Sequence, residues 1–520
     1  MTRAAKRHRE ASPHPCAELA PRNAEEEADQ ILQATEASLL LFPCPLCQRS
    51  YASSDIDRHV NACLDASPAP THDDKAEESA FAVHTKESRT VLTSKWAAIL
   101  PERPTKAAKK RVPFYKMLEG MPLSVDAFRY GRIDGCEGYF LTHFHSDHYA
   151  GLSSRWEHGP IYCSEETARL VHKRLKVARE WLCPLPMNVP QLVPRTGGVR
   201  VTCIDANHCP GACLFLFEGP RTVPTIRNGP AASQEVRYLH CGDFRACPAQ
   251  TAHPALKKQV DIVYLDTTYL HPQYNFPPQA QVIEACVDVL LRPPRRPTLA
   301  DLWHGPTECE PQAPLVIVGT YSLGKERLVK QLARSLHTSV YCAQTHRHEI
   351  LLELDDAELH RMLTRQPLEA RVHVVSLQWI SHEAVASYVQ ALQKRGMRIT
   401  QTTAFRPTGW TFQRTQASLA PTRQMDALLQ ASRPPDFRAS ALTSMTPSTA
   451  AVRIVNMPYS EHSSFYELLS FLLTLHPVRV VPTVNVGSAV SRQRMQAWLD
   501  VCARASAAQR CVQPRSPDYW

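Results

Sequence analysis

LTHFHSDHYAGL, residues 141–152, gathers His143-x-His145-x-Asp147-His148 directly after the apolar run Tyr139–Leu141. Side chains alternate along an extended segment, so His143 and His145 fall on one side, and the turn that follows brings Asp147 and His148 to a neighbouring position. Imidazole nitrogens together with a carboxylate suit Zn²⁺. Two adjacent metal subsites can share a bridging hydroxide and clamp a phosphate between them. A chance polar turn would not concentrate ligands in this way.

Further candidate ligands stand at the ends of strand-like segments. His208 lies in DANHCPGA after VTCID, Asp243 in HCGDFR after VRYLH, and His462 in PYSEHSSF after VRIVNM. Singly, each could be an ordinary loop residue. Together they complete two subsites, with His143, His145 and His208 on one metal, Asp147, His148 and His462 on the other, and Asp243 bridging. Asp126, in LSVDAF, reads as a carboxylate that orients the ligand loop from behind. From Val112 onward apolar runs alternate with helical patterns: YFLTHF, a helix near Glu165–Arg179, RVTCID, CLFLFEG, DIVYLDTTY, PLVIVGTY, the helical KERLVKQLARSL, RVHVVSL and VRVVPTVNVG. This is α/β texture. Residues 219–235, 292–313 and 411–450 read as loop insertions rich in Pro, Ser, Thr or Arg.

The ligand set resembles that of the metallo-β-lactamase fold, an αββα sandwich with metals at one edge. VDAF, NHCPGA, GDFR, LDTTY, GTYSLGKER, FRPTGW, PYSEHSSF and PTVNVG extend the resemblance to the β-CASP branch, and more narrowly to the DNA cross-link repair exonucleases related to Artemis, over roughly 111–490. The resemblance implies a metallo-β-lactamase domain over 112–274 and 401–500, with a β-CASP cap over 275–400 and substrate in the cleft between them. It matches Asp266 to the first β-CASP motif, His373 to the second and His462 to the third, and it puts Asp266 and His373 with Asp147 and Asp126 in the catalytic set. It implies a zinc-dependent 5′-to-3′ exonuclease on DNA, with metal-activated water as nucleophile and Asp147 orienting it or taking its proton. An RNA-processing β-CASP nuclease shares most of these motifs. A ubiquitin-reading scaffold with an inactive hydrolase domain is a third reading, against which the intact ligand set argues.

Gly319-Thr-Tyr-Ser-Leu-Gly324-Lys325-Glu326 joins a strand to a helix and nearly spells a P-loop. Glu326 stands where the Mg²⁺-binding hydroxyl would be, which disfavours an ATPase. Glycines, a helix N-terminus and a lysine still suit a phosphate, so Ser322, Gly324 and Lys325 are expected to receive the terminal 5′-phosphate of DNA.

Nearer the N-terminus, Cys44-x2-Cys47 and His59-x3-Cys63 form a structural zinc pattern within 41–66. Cys44-Pro45-Leu46-Cys47 and the ending His59–Leu64 resemble the ubiquitin-binding zinc fingers of DNA-repair proteins, which implies ubiquitin or a ubiquitinated repair factor as partner; nucleic acid is the competing ligand for such a finger. Residues 1–40 read as disordered, 67–111 as a polar linker and 501–520 as a C-terminal tail. The net charge of +9 favours a polyanionic partner. MTRAAKRHRE has no apolar core and reads as no secretory leader, and no apolar window spans a bilayer. The chain is therefore expected inside the cell, with the basic runs Lys6–Arg9 and Lys106–Arg111 directing it to the nucleus, and it is expected to be monomeric. In a reducing compartment Cys203, Cys209, Cys213 and Cys241 read as buried thiols, and Trp379 and Trp410 as packing residues.

Overall fold

The computed structural model describes residues 41–43, 50–52, 111–224, 234–291, 314–409, 419–421, 424–442, 452–510 and 512–520. Two short strands, β1 (Leu41–Pro43) and β2 (Ser50–Ala52), pair antiparallel on either side of residues 44–49. The finger ligands Cys44, Cys47, His59 and Cys63 lie outside the described residues, as do most of the expected insertions and Trp410.

Two sheets stack face to face. One is parallel, in the order β3 (Leu123–Val125), β4 (Gly138–Phe140), β5 (Ile161–Ser164), β6 (Leu182–Leu185). The other has six strands. β7 (Gln191–Leu192), β8 (Arg200–Asp205), β9 (Cys213–Pro220) and β10 (Glu235–His240) pair antiparallel in sequence. β11 (Ile262–Leu265) and β18 (Arg479–Pro482), which returns from late in the chain, then join in parallel. Alternation along β9 shows how the layers form: Phe215 and Phe217 meet Phe140 and Val125 between the sheets, while Leu214 and Leu216 face outward. The helix Glu165–Leu175, capped by the Ser164 hydroxyl accepting from Thr167 N–H, covers the parallel sheet. The helix Phe465–Leu475 backs the other sheet, with the Phe471 ring 5.1 Å from that of Phe244. The sandwich is thus the αββα arrangement that the metallo-β-lactamase resemblance implies.

A third sheet is wholly parallel. Its order is β14 (Leu363–Thr364), β13 (Ser339–Cys342), β15 (Ala370–Ser376), β12 (Leu315–Thr320), β16 (Thr402–Pro407), β17 (Val452–Met457). Leu315 and Ile317 pack against the helix His382–Lys394 on one face, and Val316 and Val318 against the helix Glu326–Ser335 on the other. Burial on both faces explains the unbroken apolar run LVIV. The sequence leads one to expect a cap ending at residue 400, but β16 and β17 complete its sheet, so the cap reaches Met457. Parallel pairing between strands distant in sequence leaves no local mark, which is why the boundary was misplaced. Residues 512–520 do not hang free: Trp520 is buried, and Ala249 N–H donates to Pro517 C=O. Among the described residues no helix is long and apolar enough to cross a membrane.

Candidate metal centre

The segments that bear the candidate ligands leave the ends of strands. β4 runs into the 141–148 loop, β8 into His208, β10 into Asp243 and β11 into Asp266; the cap's edge strand β17 delivers His462. Three groups of donor atoms converge, each within 4.8 Å: His143, His145, His208 and Asp243; Asp147, His148 and Asp243; and Asp243, Asp266 and His462. Asp243 belongs to all three. Its Oδ2 lies 3.2 Å from His148 Nε2, 3.8 Å from His143 Nε2 and 3.9 Å from His462 Nε2. His148 Nε2 is also 3.4 Å from Asp147 Oδ2.

The outer nitrogen of every one of these imidazoles is held. His148 Nδ1–H donates to Asp126 Oδ2 (2.7 Å), and His462 Nδ1–H to Asp266 Oδ2 (2.8 Å). His143 Nδ1 is 3.0 Å from Thr142 Oγ1, whose hydroxyl donates in turn to Asp126 Oδ2 (2.8 Å). His208 Nδ1 meets the carbonyl of Glu461 at 2.9 Å, and His145 Nε2 that of Leu323 at 3.2 Å. With those protons facing outward, the inner nitrogens of His143, His145 and His208 present lone pairs. His145 Nδ1 then faces His143 Nε2 at 2.8 Å and His208 Nε2 at 3.3 Å, an arrangement that repels itself unless a cation sits among the nitrogens. Nitrogen and carboxylate donors so disposed fit a transition metal such as zinc.

Electrostatics divides the histidines. Burial, reinforced by the neighbouring imidazoles, drives His143 and His208 well below the usual histidine pKa, and burial lowers His145 as well. Burial also opposes protonation of His148, but Asp243, Asp147 and Asp126 outweigh it and hold the pKa well above normal. For His462 the carboxylates of Asp266 and Asp243 overcome burial and raise it to about 9. Desolvation would likewise raise Asp126, and the adjoining His148 holds it low instead. A buried carboxylate that fixes both Thr142, through the Thr142 N–H (2.9 Å) and hydroxyl, and His148 is a positioning group. Asp126→Ala should therefore weaken metal binding about 10- to 100-fold in a chelator competition; unchanged affinity would show that the loop orients itself.

Two expectations are corrected. His373 does not reach this cluster. It is fully buried in β15, its Nδ1 2.8 Å from the Tyr388 hydroxyl and its Nε2 3.0 Å from the Pro367 carbonyl, and burial lowers it to about 4. It is a hydrogen-bonded core histidine of the cap, whose ring partners come from the cap alone. The phosphate cradle is also closed. Gly324 N–H donates to Glu326 Oε1 (2.7 Å), Lys325 N–H to Glu461 Oε1 (2.5 Å), and Lys325 Nζ lies 3.6 Å from Glu461 Oε2. The chain's own carboxylates occupy the anion seat, and burial together with nearby Glu461 pushes Glu326 up to about 7. Of the three expected phosphate-binding residues, Ser322 alone is exposed.

Sequence reasoning passed over Thr142, Glu461 and the Leu323 carbonyl. Thr142 adjoins His143, and its hydroxyl could have been suspected; a backbone carbonyl has no signature. The four cysteines near the site are buried, and Trp379 packs edge-on against Tyr388 at 5.4 Å, as expected of packing residues.

Comparison with known proteins agrees with this geometry. Residues 122–295 match the beta-lactamase superfamily domain, and residues 357–488 match the family described as DNA repair metallo-beta-lactamase. The chain is 39% identical to the Schizosaccharomyces pombe DNA cross-link repair protein pso2/snm1, over 90% of this chain and 79% of that protein. It is 35% identical to the Arabidopsis thaliana DNA cross-link repair protein SNM1, over 74% of this chain and 70% of that one. It is 31% identical to the Gallus gallus 5′ exonuclease Apollo, over 71% and 63%. A sandwich with histidines and aspartates gathered at its strand ends, roofed by a parallel-sheet cap, is the architecture these matches call for, and the chain belongs to the SNM1/Pso2 family of DNA cross-link repair metallo-β-lactamases.

Proposed function

We propose that the chain is a zinc-dependent 5′-to-3′ exonuclease that hydrolyses phosphodiester bonds of DNA during interstrand cross-link repair. The observation that carries this reading is the convergence of His143, His145, His148, His208 and His462 on Asp243, with Asp147 beside His148, each imidazole turned by an outer hydrogen bond so that its other ring nitrogen faces inward. Relatives named for DNA cross-link repair and for 5′ exonuclease activity supply the substrate class. Metals bound here would polarise a phosphoryl oxygen and lower the pKa of water. The residues behind the ligands do the positioning: Asp126 and Thr142 fix the 141–148 loop, and Asp266 fixes His462. Asp147, whose side chain is 72% exposed, stands where its carboxylate can take a proton from an attacking water.

Substrate approaches from the Asp147 side in this reading. A cleft of about 650 Å³ on the His208 side, between sandwich and cap, is walled by Glu165, Glu166, Asp205, Asp355 and Asp356. Arg327 and Lys330 also line it, but the carboxylates outnumber them, and the net negative lining disfavours a phosphodiester backbone. Ubiquitin is the partner proposed for the Cys44, Cys47, His59 and Cys63 finger with its structural zinc. The nucleus is the proposed location, and a monomer the proposed state.

Digestion of end-labelled DNA bearing 5′-phosphate or 5′-hydroxyl ends, beside matched RNA and with or without chelator, tests the reading. The expected result is shortening of 5′-phosphorylated DNA from its 5′ end, stopped by chelator and restored by Zn²⁺. Preference for RNA, or cleavage that ignores chelator, would overturn it.

A further inference from the structure

We propose that the cap loop at Leu323–Lys325 clasps the metal centre through Glu461 and thereby sets how tightly His145 and His208 hold the metal. The inference rests on the metal-dependent reading above. The two imidazoles lean on two carbonyls, Leu323 in the cap for His145 Nε2 (3.2 Å) and Glu461 beside the ligand His462 for His208 Nδ1 (2.9 Å). These carbonyls are far apart in sequence, yet Lys325 N–H donates to Glu461 Oε1 at 2.5 Å, with Lys325 Nζ 3.6 Å from the other carboxylate oxygen. Lys325, two residues from Leu323, is thus bonded to the residue that steadies His208. Lys325 and Glu461 are 5% and 7% exposed, so little solvent competes for the bond.

The sequence around the clasp serves this contact. Gly324 has φ +107°, and a Cβ there would sit 2.5 Å from Glu461 Oε2, so an added side chain would have to displace that carboxylate and take a strained backbone. Lys325 takes a left-handed backbone (φ +71°), uncommon outside glycine and asparagine, which turns its N–H toward Glu461. Its ammonium lies 4.2 Å from the Tyr321 ring centroid and stays inside. The near P-loop spelling therefore reflects a strand-to-helix turn that receives a carboxylate of its own chain. Partners of the outer imidazole nitrogens fix ring orientation and ligand basicity, and their loss typically lowers metal affinity 10- to 100-fold. The cap becomes a working part of the metal centre although none of the loop's side chains is among the ligands.

The test measures Zn²⁺ affinity by chelator competition and the visible spectrum of the Co²⁺-loaded protein, which reports ligand geometry. Glu461→Ala should bind Zn²⁺ about 10- to 100-fold more weakly, with a changed cobalt spectrum. Glu461→Gln keeps an oxygen that can accept from Lys325 N–H and should stay much closer to wild type. Gly324→Ala, which forces the carboxylate away without removing it, should weaken binding as Glu461→Ala does, and it carries the test if Glu461→Ala does not fold. Arg174→Ala removes the exposed Arg174–Glu349 ion pair between sandwich and cap, 2.5 Å long, and should leave affinity unchanged. Wild-type affinity and spectrum in both Glu461→Ala and Gly324→Ala would overturn the clasp alone. Equal weakening by Arg174→Ala would also overturn it, by showing general loosening of the cap. A wild-type protein that takes up no metal would overturn the function proposed above as well.

Discussion

Asp147→Ala should lower DNA hydrolysis by about a thousandfold, equivalent to about 4 kcal/mol of transition-state stabilisation, while leaving the fold intact. The contrast follows from where the side chain sits. Asp147 lies in the single helical turn Ser146–Tyr149, its side chain 72% exposed, and its carboxylate meets His148 Nε2 at 3.4 Å and packs against no core. Substitutions at such positions change stability by roughly 0.5 kcal/mol or less. Chemically the group is central. Desolvation by its surroundings would raise its pKa, but the adjoining His148 and His145 hold it below the ordinary carboxylate range, so it is ionised and available as a ligand. His145→Ala should cost as much, by removing the nitrogen that faces both His143 and His208. Rates on a 5′-phosphorylated duplex, paired with thermal unfolding of each variant, check both statements. A purified Asp147→Ala protein with wild-type turnover would remove the carboxylate from the mechanism.

The ligands were legible in the sequence because their chemistry is rare and their context repeats. Histidine or aspartate directly follows an apolar strand at His143, His208 and Asp243, and such residues have few structural uses there. The strands could be read for the same reason, since CLFLFEG and LVIV carry their burial in their composition. What escaped reading depends on partners distant in the chain. His373 sits between Val372 and Val374 in an apolar strand, and a core histidine there looks the same as a catalytic one. Only the Tyr388 hydroxyl and the Pro367 carbonyl, which the fold brings to its two nitrogens, decide between them. Lys325 is a similar case: glycine, lysine and a helix start spell a phosphate site until Glu461, 136 residues on, fills it. The cap's extension through β16 and β17 is likewise a matter of parallel pairing, which no local pattern encodes.

Arg245 offers the sharpest test of how the fold holds the site. Arg245 and Glu467 form an ion pair at 2.9 Å with side chains only 3% and 1% exposed. The guanidinium bonds Glu467 Oε1 through both Nε and Nη2, and it also donates to the carbonyls of Ser460 and Pro277. Glu467 Oε2 meanwhile accepts from Ser464 N–H, capping the helix Phe465–Leu475. Both ends of the pair thus grip 460–464, the segment that presents Glu461 and His462. Arg245→Met would strand a buried carboxylate and should destabilise the protein by about 3–5 kcal/mol. Adding Glu467→Gln removes the stranded charge but keeps an acceptor for Ser464, so the double variant should be more stable than Arg245→Met alone. Metal affinity should not recover in parallel, because the Pro277 carbonyl still lacks its donor, the Ser460 carbonyl keeps only Gln279 Nε2, and the His462 loop stays loose. Chemical unfolding of wild type, both single variants and the double variant, with Zn²⁺ affinity measured on each, separates the two roles. If the double variant were the least stable of the four, the pair would act through packing rather than charge; if it regained full metal affinity, the guanidinium would only neutralise Glu467 and would not position the loop.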